Sequence, residues 1–291
     1  MTAFDISPAR LRAKKIARRM AVGLSRSIRR RDSPADGSIR VLTYHRFGAS
    51  PLDPCCLSPR SFEAQLDWLR EHANVLAPAE FDAAMRGLQP APRDAVLITI
   101  DDGHRSAARH ALPALERRGM QAILFVCPAL LSPAETTTPA TDEAGESGAA
   151  FMSRGDLIRA ACAGHTIAPH GHSHRSLGRM PLAQAIAEID QACAALQPLP
   201  GAAGPFFSFP FGTRADYSPA LARELQARGF RYCFTATHGR CRPRGGSALL
   251  PRIKIEGGNE DDLFPDIVRG CMDHWRLVDG ALYALQQRGR M

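Results

Sequence analysis

The chain has 291 residues, 45% hydrophobic and 23% charged, enough apolar material to bury a substantial core and too much for a disordered or fibrous chain. Its 37 Lys and Arg against 29 Asp and Glu give +8, but residues 1–40 hold 11 basic and three acidic residues, so residues 41–291 hold 26 of each (37 − 11 and 29 − 3) and are neutral. A balanced globular part with no helix-turn-helix signal and no interleaved aromatic and basic residues excludes a nucleic-acid binder from the expected functions.

Residues 8–31 place Ile16, Met20, Leu24 and Ile28 at every fourth position among arginines and lysines. That is the spacing of a basic amphipathic helix, either resting on an anionic membrane surface or standing as a solvated extension. DSPADG (32–37) is a linker signal, so residues 1–39 form an extension and residues 40–291 one domain. No apolar stretch is long enough for a membrane span, and no N-terminal run exceeds MAVGL (20–24), which predicts a cytoplasmic protein, peripheral to the membrane at most. The eight cysteines contain no CxxC pair and several lie in apolar runs. Buried, reduced thiols in a reducing compartment are expected, not a zinc ribbon.

From residue 40 strand and helix signals alternate. RVLTY (40–44) is a buried strand, and Ser58 before Pro59 opens a helix through FEAQLDWLREH. A short strand over 74–77 and a short helix over 78–87 lead to AVLITI (95–100), uniformly apolar, as a strand covered on both faces must be. A helix over 105–119 and a strand over 122–127 follow. Residues 131–150 lack apolar periodicity and form a long loop. Ser153, with Asp156 three residues on, caps a helix to Cys162. Strands over 165–170, 205–211 and 231–236 then alternate with helices over 181–196 and 218–230. LLPRIKI (249–255) is the last strand, and a C-terminal helix covers roughly 261–289. Repeated βα units predict a parallel sheet, closed or doubly wound, with its site at the carboxyl ends of the strands.

The polar residues cluster at those ends. Asp101 and Asp102 follow six apolar residues, and two carboxylates at a buried strand end require a neutralising cation. Gly103 allows the tight turn. His170, His172 and His174 share another strand end. Two imidazoles and a carboxylate suit a divalent transition metal, zinc most often, but spacing does not choose among the three histidines. Such a centre polarises a carbonyl and activates water while a second carboxylate takes the proton, which is amide or ester hydrolysis. Non-haem iron oxygenases use the same ligand set, but on double-stranded β-helix barrels unlike this alternating pattern.

The chain resembles a polysaccharide deacetylase of the NodB-homology type, carbohydrate esterase family 4, over about residues 40–255. The resemblance rests on Thr99-Ile100-Asp101-Asp102-Gly103, on His170-Gly171-His172-Ser173-His174, on Phe209-Pro210-Phe211-Gly212, on Tyr44-His45-Arg46 and on Leu250-Pro251-Arg252-Ile253. It implies an α/β fold, a distorted (β/α)7 TIM-like barrel. It further implies Asp102, His170 and His174 as ligands of a divalent metal, zinc above all, Asp101 as general base, and a backbone amide near Phe211 or Gly212 for the oxyanion. His172 then becomes a bystander, and Tyr44, His45, Phe211 and Gly212 are expected against the substrate. The implied partner is an acetylated glycan, losing N- or O-acetyl groups. Ser208 stands where the family often has an arginine that orients the base, and Arg252 is the expected replacement. The family's late Leu-x-x-His is not evident, so the general acid is unassigned, with His45 one candidate. An inactive sugar-binding module on the same barrel is disfavoured by the intact acidic and histidine residues, and a deacylase of a non-carbohydrate amide is the remaining alternative.

Overall fold

The computed structural model describes residues 8–28, 37–50, 53–132, 151–202, 204–257 and 261–280. Helix α1 (Pro8–Ile28) is followed by β1 (Arg40–Tyr44), the short parallel pair β2 (Arg46–Phe47) and β3 (Cys56–Leu57), α2 (Pro59–His72), β4 (Asn74–Val75), α3 (Pro78–Met85) and β5 (Ala95–Ile100). A π turn over Ala107–Ala111 leads into α4 (Leu112–Glu116), β6 (Ala122–Val126), α5 (Arg154–Cys162), β7 (Thr166–Pro169), α6 (Leu182–Leu196), β8 (Phe206–Ser208), α7 (Pro219–Ala227) and β9 (Tyr232–Phe234). The last elements are β10 (Leu249–Leu250), β11 (Ile253–Lys254), α8 (Phe264–Arg269) and α9 (Arg276–Asp279).

The helix starts follow from local chemistry. Ser58 Oγ accepts the Ser61 N–H at 3.0 Å ahead of Pro59, and Ser153 and Asp156 exchange hydrogen bonds at the head of α5. The helix expected over 105–119 forms as a continuous run over 105–116 that carries a π turn at Ala107–Ala111, where Pro113 lacks an N–H and crowds the preceding turn so that the ladder slips by one residue.

All pairings among these strands are parallel. One sheet runs β11-β1-β5-β6-β7, with β4 beside the start of β5, and a second runs β10-β9-β8. The two form an α/β layer wrapped toward a barrel. β7 lies against β8, but no strand hydrogen bonds close that seam among the described residues. The other break corrects the expectation of one strand over 249–255. Leu249–Leu250 pairs with β9, whereas Ile253–Lys254 pairs with β1. Pro251, with no N–H to donate, and Arg252, whose N–H goes to Thr237 O, mark the switch.

The C-terminal helix expected over 261–289 is also corrected. Residues 261–280 form short helical turns, stopped after α8 by Gly270 in a left-handed conformation (φ 98°); residues past 280 lie outside the described part.

Strand periodicity sorts side chains onto two buried faces. Leu42, Ile98, Leu124 and Ile167 join α2, the π turn with α4, and α5 in the outer layer. Val41, Leu97, Ile123, Phe125, Ala168, Phe206 and Phe234 fill the interior, plugged from below by Leu76, Phe81 and Met85 on and beside α3. Phe81, Phe125, Phe206, Tyr232 and Phe234 make edge, tilted and stacked contacts there, with centroids 5.4–6.4 Å apart. Two residues further along the strands the interior turns polar: Thr43 Oγ1 lies 3.1 Å from Thr99 Oγ1, above Val41 and Leu97. The next inward position on the β5 side is Asp101.

Candidate active site

Asp101 follows the Thr43–Thr99 layer at the carboxyl end of β5. Its N–H donates to Tyr44 O at 2.9 Å, continuing the β1–β5 ladder by one step, and its carboxylate is buried (2% exposed). Arg252 meets it bidentately, Nη1 to Oδ1 at 2.8 Å and Nη2 to Oδ2 at 2.7 Å. The same guanidinium donates to Ser208 Oγ, Thr99 Oγ1 and Thr235 O. It sits over the rings of Phe125 and Phe234, 5.5 and 5.7 Å from their centroids. All donors of the fork are thus aimed, as a buried ion pair requires. Burial raises the Asp101 pKa, but the Arg252 charge outweighs it and holds the carboxyl below its ordinary value. Ser208 contributes its hydroxyl to this network.

Asp102 and Gly103 both adopt left-handed backbone (φ 71° and 74°), which throws the Asp102 carboxylate sideways from its neighbour. A Cβ on Gly103 would come within 3.0 Å of Val126 Cγ1, so the turn needs glycine. Asp102 Oδ1 lies 3.3 Å from His170 Nε2 and 3.1 Å from His174 Nε2, and its Oδ2 lies 3.5 Å from His104 Nε2. The His170 ring is fixed from behind by Ser208 O, 2.9 Å from Nδ1, which spans the seam between β7 and β8. Donating there leaves Nε2 with a bare lone pair facing Asp102. The three donor atoms of Asp102, His170 and His174 lie within 4.8 Å of one another. Burial opposes charge on Asp102, but the adjacent imidazoles of His104, His170 and His174 hold it well below the ordinary carboxylate range. Asp102 Oδ1 is buried yet lacks a hydrogen bond of good geometry. Two imidazole nitrogens converging on a buried carboxylate oxygen form an N2O donor set that fits a divalent cation.

The turn after β7 decides which histidines converge. Gly171 (φ 69°) and His174 (φ 59°) fold the segment so that 170 and 174 point inward. Glu188 on α6 staples the middle of the turn, accepting from the His172 and Ser173 N–H groups and the Ser173 hydroxyl. His172 is no part of the three-donor cluster.

The other expected residues divide. Phe211 (φ 61°, 41% exposed) sets its ring edge-on to His174, 4.7 Å between centroids. The Gly212 N–H is taken by Pro210 O at 2.7 Å, and a Cβ on Gly212 would strike Ala236 N at 2.6 Å. Between the two, the Phe211 N–H is the one with no backbone hydrogen bond among the described residues. Tyr44 is corrected as a substrate contact: its side chain is in the core, bonded to Gln65 and packed on Phe47 and Phe62, and it serves the site only through its carbonyl. His45 is half-buried at the rim; burial first, then the Lys254 ammonium, push its pKa down to about 3, so it is neutral near pH 7 and a poor cationic acid. His238 is engaged by Asp279 at 2.8 Å.

Sequence reasoning missed His104, Glu188 and Lys254. Lys254 donates to Cys55 Sγ at 2.9 Å, which also gives the odd Cys55-Cys56 pair one structural use. The 131–150 loop lies outside the described residues from 133 on, but its two ends meet beside the site. Ser132 N–H bonds Met152 O, Met152 N–H bonds Gly103 O, and Phe151 stacks on His104 at 4.8 Å.

Residues 89–230 match the family described as polysaccharide deacetylase. YxkH of Bacillus subtilis (strain 168), assigned as a polysaccharide deacetylase, is 29% identical over 87 residues, a stretch spanning 30% of this chain and 30% of that protein. Among solved structures, IcaB from Ammonifex degensii superposes with a TM-score of 0.65 at 23% identity, covering 80% of this chain and 97% of that one. The Streptococcus pyogenes deacetylase PplD, solved with acetate, gives 0.65 at 19% identity, covering 77% and 95%. At such identities the superpositions speak for the fold alone, which is that of the NodB-type (β/α)7 barrels. Over residues 89–230, just under half of its length, this chain is therefore similar to the polysaccharide deacetylases, and it shares the fold of their solved structures.

Proposed function

We propose that this chain removes acetyl groups from N-acetylated sugars of a polysaccharide or glycan precursor, using a divalent metal, zinc by its donor set, held by Asp102, His170 and His174. The observation that carries this reading is the buried N2O cluster beside a second carboxylate locked by Arg252. Asp101, ionised and clamped against rotation, is the general base. A cation at the cluster would supply Lewis acidity toward an acetyl carbonyl and toward water, which a carboxylate as weakly basic as Asp101 needs. Arg252 fixes Asp101 and balances its charge. His170, oriented by Ser208 O, keeps its Nε2 aimed at Asp102 without further adjustment. The Phe211 N–H is the backbone donor for the oxyanion, and its exposed ring forms one wall for the sugar.

The test is metal analysis together with acetate release from a panel of N-acetylated oligosaccharides and lipid-linked glycans. Asp101→Asn keeps the metal and loses acetate release by about 100-fold or more. His174→Ala loses the metal, whereas His172→Ala retains it. Loss of metal from Asp101→Asn, or retention by His174→Ala, overturns the assignment.

A further inference from the structure

Helix α1 is amphipathic in an inverted sense. It meets the body through a polar face: Arg18 is 3% exposed and pairs with Glu256 at 3.3 Å, Ser25 is buried next to it in the heptad sense, and Val22 is the one large apolar residue buried there among the described side chains. Arg19 adds a bidentate bond to Asp262 at 2.9 and 3.0 Å. The apolar stripe points the other way, with Ile16 59%, Met20 70% and Leu24 65% exposed. One turn apart each, they form a ridge about 12 Å long on the outer face. The helix sequence carries Arg10, Arg12, Lys14, Lys15 and Arg26 besides the paired arginines, and no acidic residue.

We infer that α1 is a docking element for an anionic lipid surface, laying the Ile16-Met20-Leu24 ridge into the headgroup boundary while its basic residues meet lipid phosphates. Charge complementarity selects this occupant. The whole surplus of +8 lies in residues 1–40, so a second copy on the same ridge would bring like charge against like. A nucleic-acid backbone would use the cations but leave the ridge in water. An interfacial helix uses both. The anchoring gives the docking a direction. Glu256 lies two residues beyond β11, which runs parallel to β1 and through it to β5, so Arg18 clamps the helix at the end of the sheet that also carries Asp101 and Asp102.

The full chain is to be sedimented with vesicles of phosphatidylcholine alone and of an equimolar mixture of phosphatidylcholine and phosphatidylglycerol. Binding to the mixed vesicles only, weakening with added salt, is expected. The variant Ile16→Ser/Met20→Ser/Leu24→Ser lowers that binding about tenfold or more at unchanged thermal midpoint. Arg12→Glu, at an exposed position, lowers it with the ridge intact, and decides the matter should the triple variant lose its helix. Equal binding to both vesicle types, no binding to either, or unchanged binding of both variants overturns the inference. So does a concentration-dependent dimer that the triple variant abolishes, which would make the ridge a contact between copies.

Discussion

Arg252 shows how much one side chain decides. It satisfies a buried carboxylate, a hydroxyl from another sheet and a strand-end carbonyl at once, while stacking on two rings. Arg252→Met leaves Asp101 buried without its partner and should cost about 3–5 kcal/mol, read as a fall in the thermal midpoint. Arg252→Lys keeps the charge but loses the planar fork. It is expected to lower kcat for acetate release at least tenfold with KM little changed, since only the aim of Asp101 is altered. Equal kcat in Arg252→Lys would reduce Arg252 to a charge balance. The site also holds three non-glycine residues in left-handed backbone, Asp102, His174 and Phe211, one on each of its three turns. Each costs of order 1–3 kcal/mol locally and persists because the surrounding barrel imposes it.

Among the elements, α5 is the one whose start can be tested cleanly. Ser153 caps it and Asp156 returns the bond to the Ser153 N–H and hydroxyl. Ser153→Ala should cost about 1 kcal/mol by urea unfolding. For Asp156, partial burial raises the pKa, but the Ser153 amide and hydroxyl and then Arg159 outweigh it, so the folded value lies below the ordinary one. A depressed folded pKa stabilises above the unfolded value of about 3.9, and that stability is lost as pH falls through the folded value. The gap in thermal midpoint between the wild type and Asp156→Asn should therefore be widest near neutrality and close below about pH 4. A gap that persists in acid would mean that the cap acts without its charge.

At the scale of the whole molecule, the two sheets share no strand hydrogen bonds along the β7–β8 seam among the described residues, yet side chains join them. Phe234 of the second sheet packs on Phe125 of the first, on Phe206 beside it and on Phe81 from below. Phe234→Ala should cost about 3–5 kcal/mol and lower the thermal midpoint by about 2–4 °C per kcal/mol, in one cooperative transition. Two separate transitions would mean that the sheets fold as independent units.

The alternation of strands and helices, the caps at Ser58 and Ser153 and the uniformly apolar β5 ending in Asp-Asp-Gly were legible in the sequence, because each is set by neighbours a few residues away. Strand periodicity even carries Leu97, Thr99 and Asp101 to one face. By spacing alone the choice of His170 and His174 over His172, which the resemblance implied, was not legible, since it depends on two left-handed positions and on Glu188 from α6. Nor was the burial of Tyr44, the splitting of 249–255 between two sheets, or the outward turn of the apolar ridge on α1. By itself the sequence determined the elements and the pool of ligand types, which are matters of local spacing, and carried the family resemblance in its motifs. Only the tertiary structure decided how the His170 and His174 rings meet Asp102, that Arg252 grips both oxygens of Asp101 with Ser208 beside it, and which face of α1 meets solvent, because each rests on contacts between residues far apart in the chain.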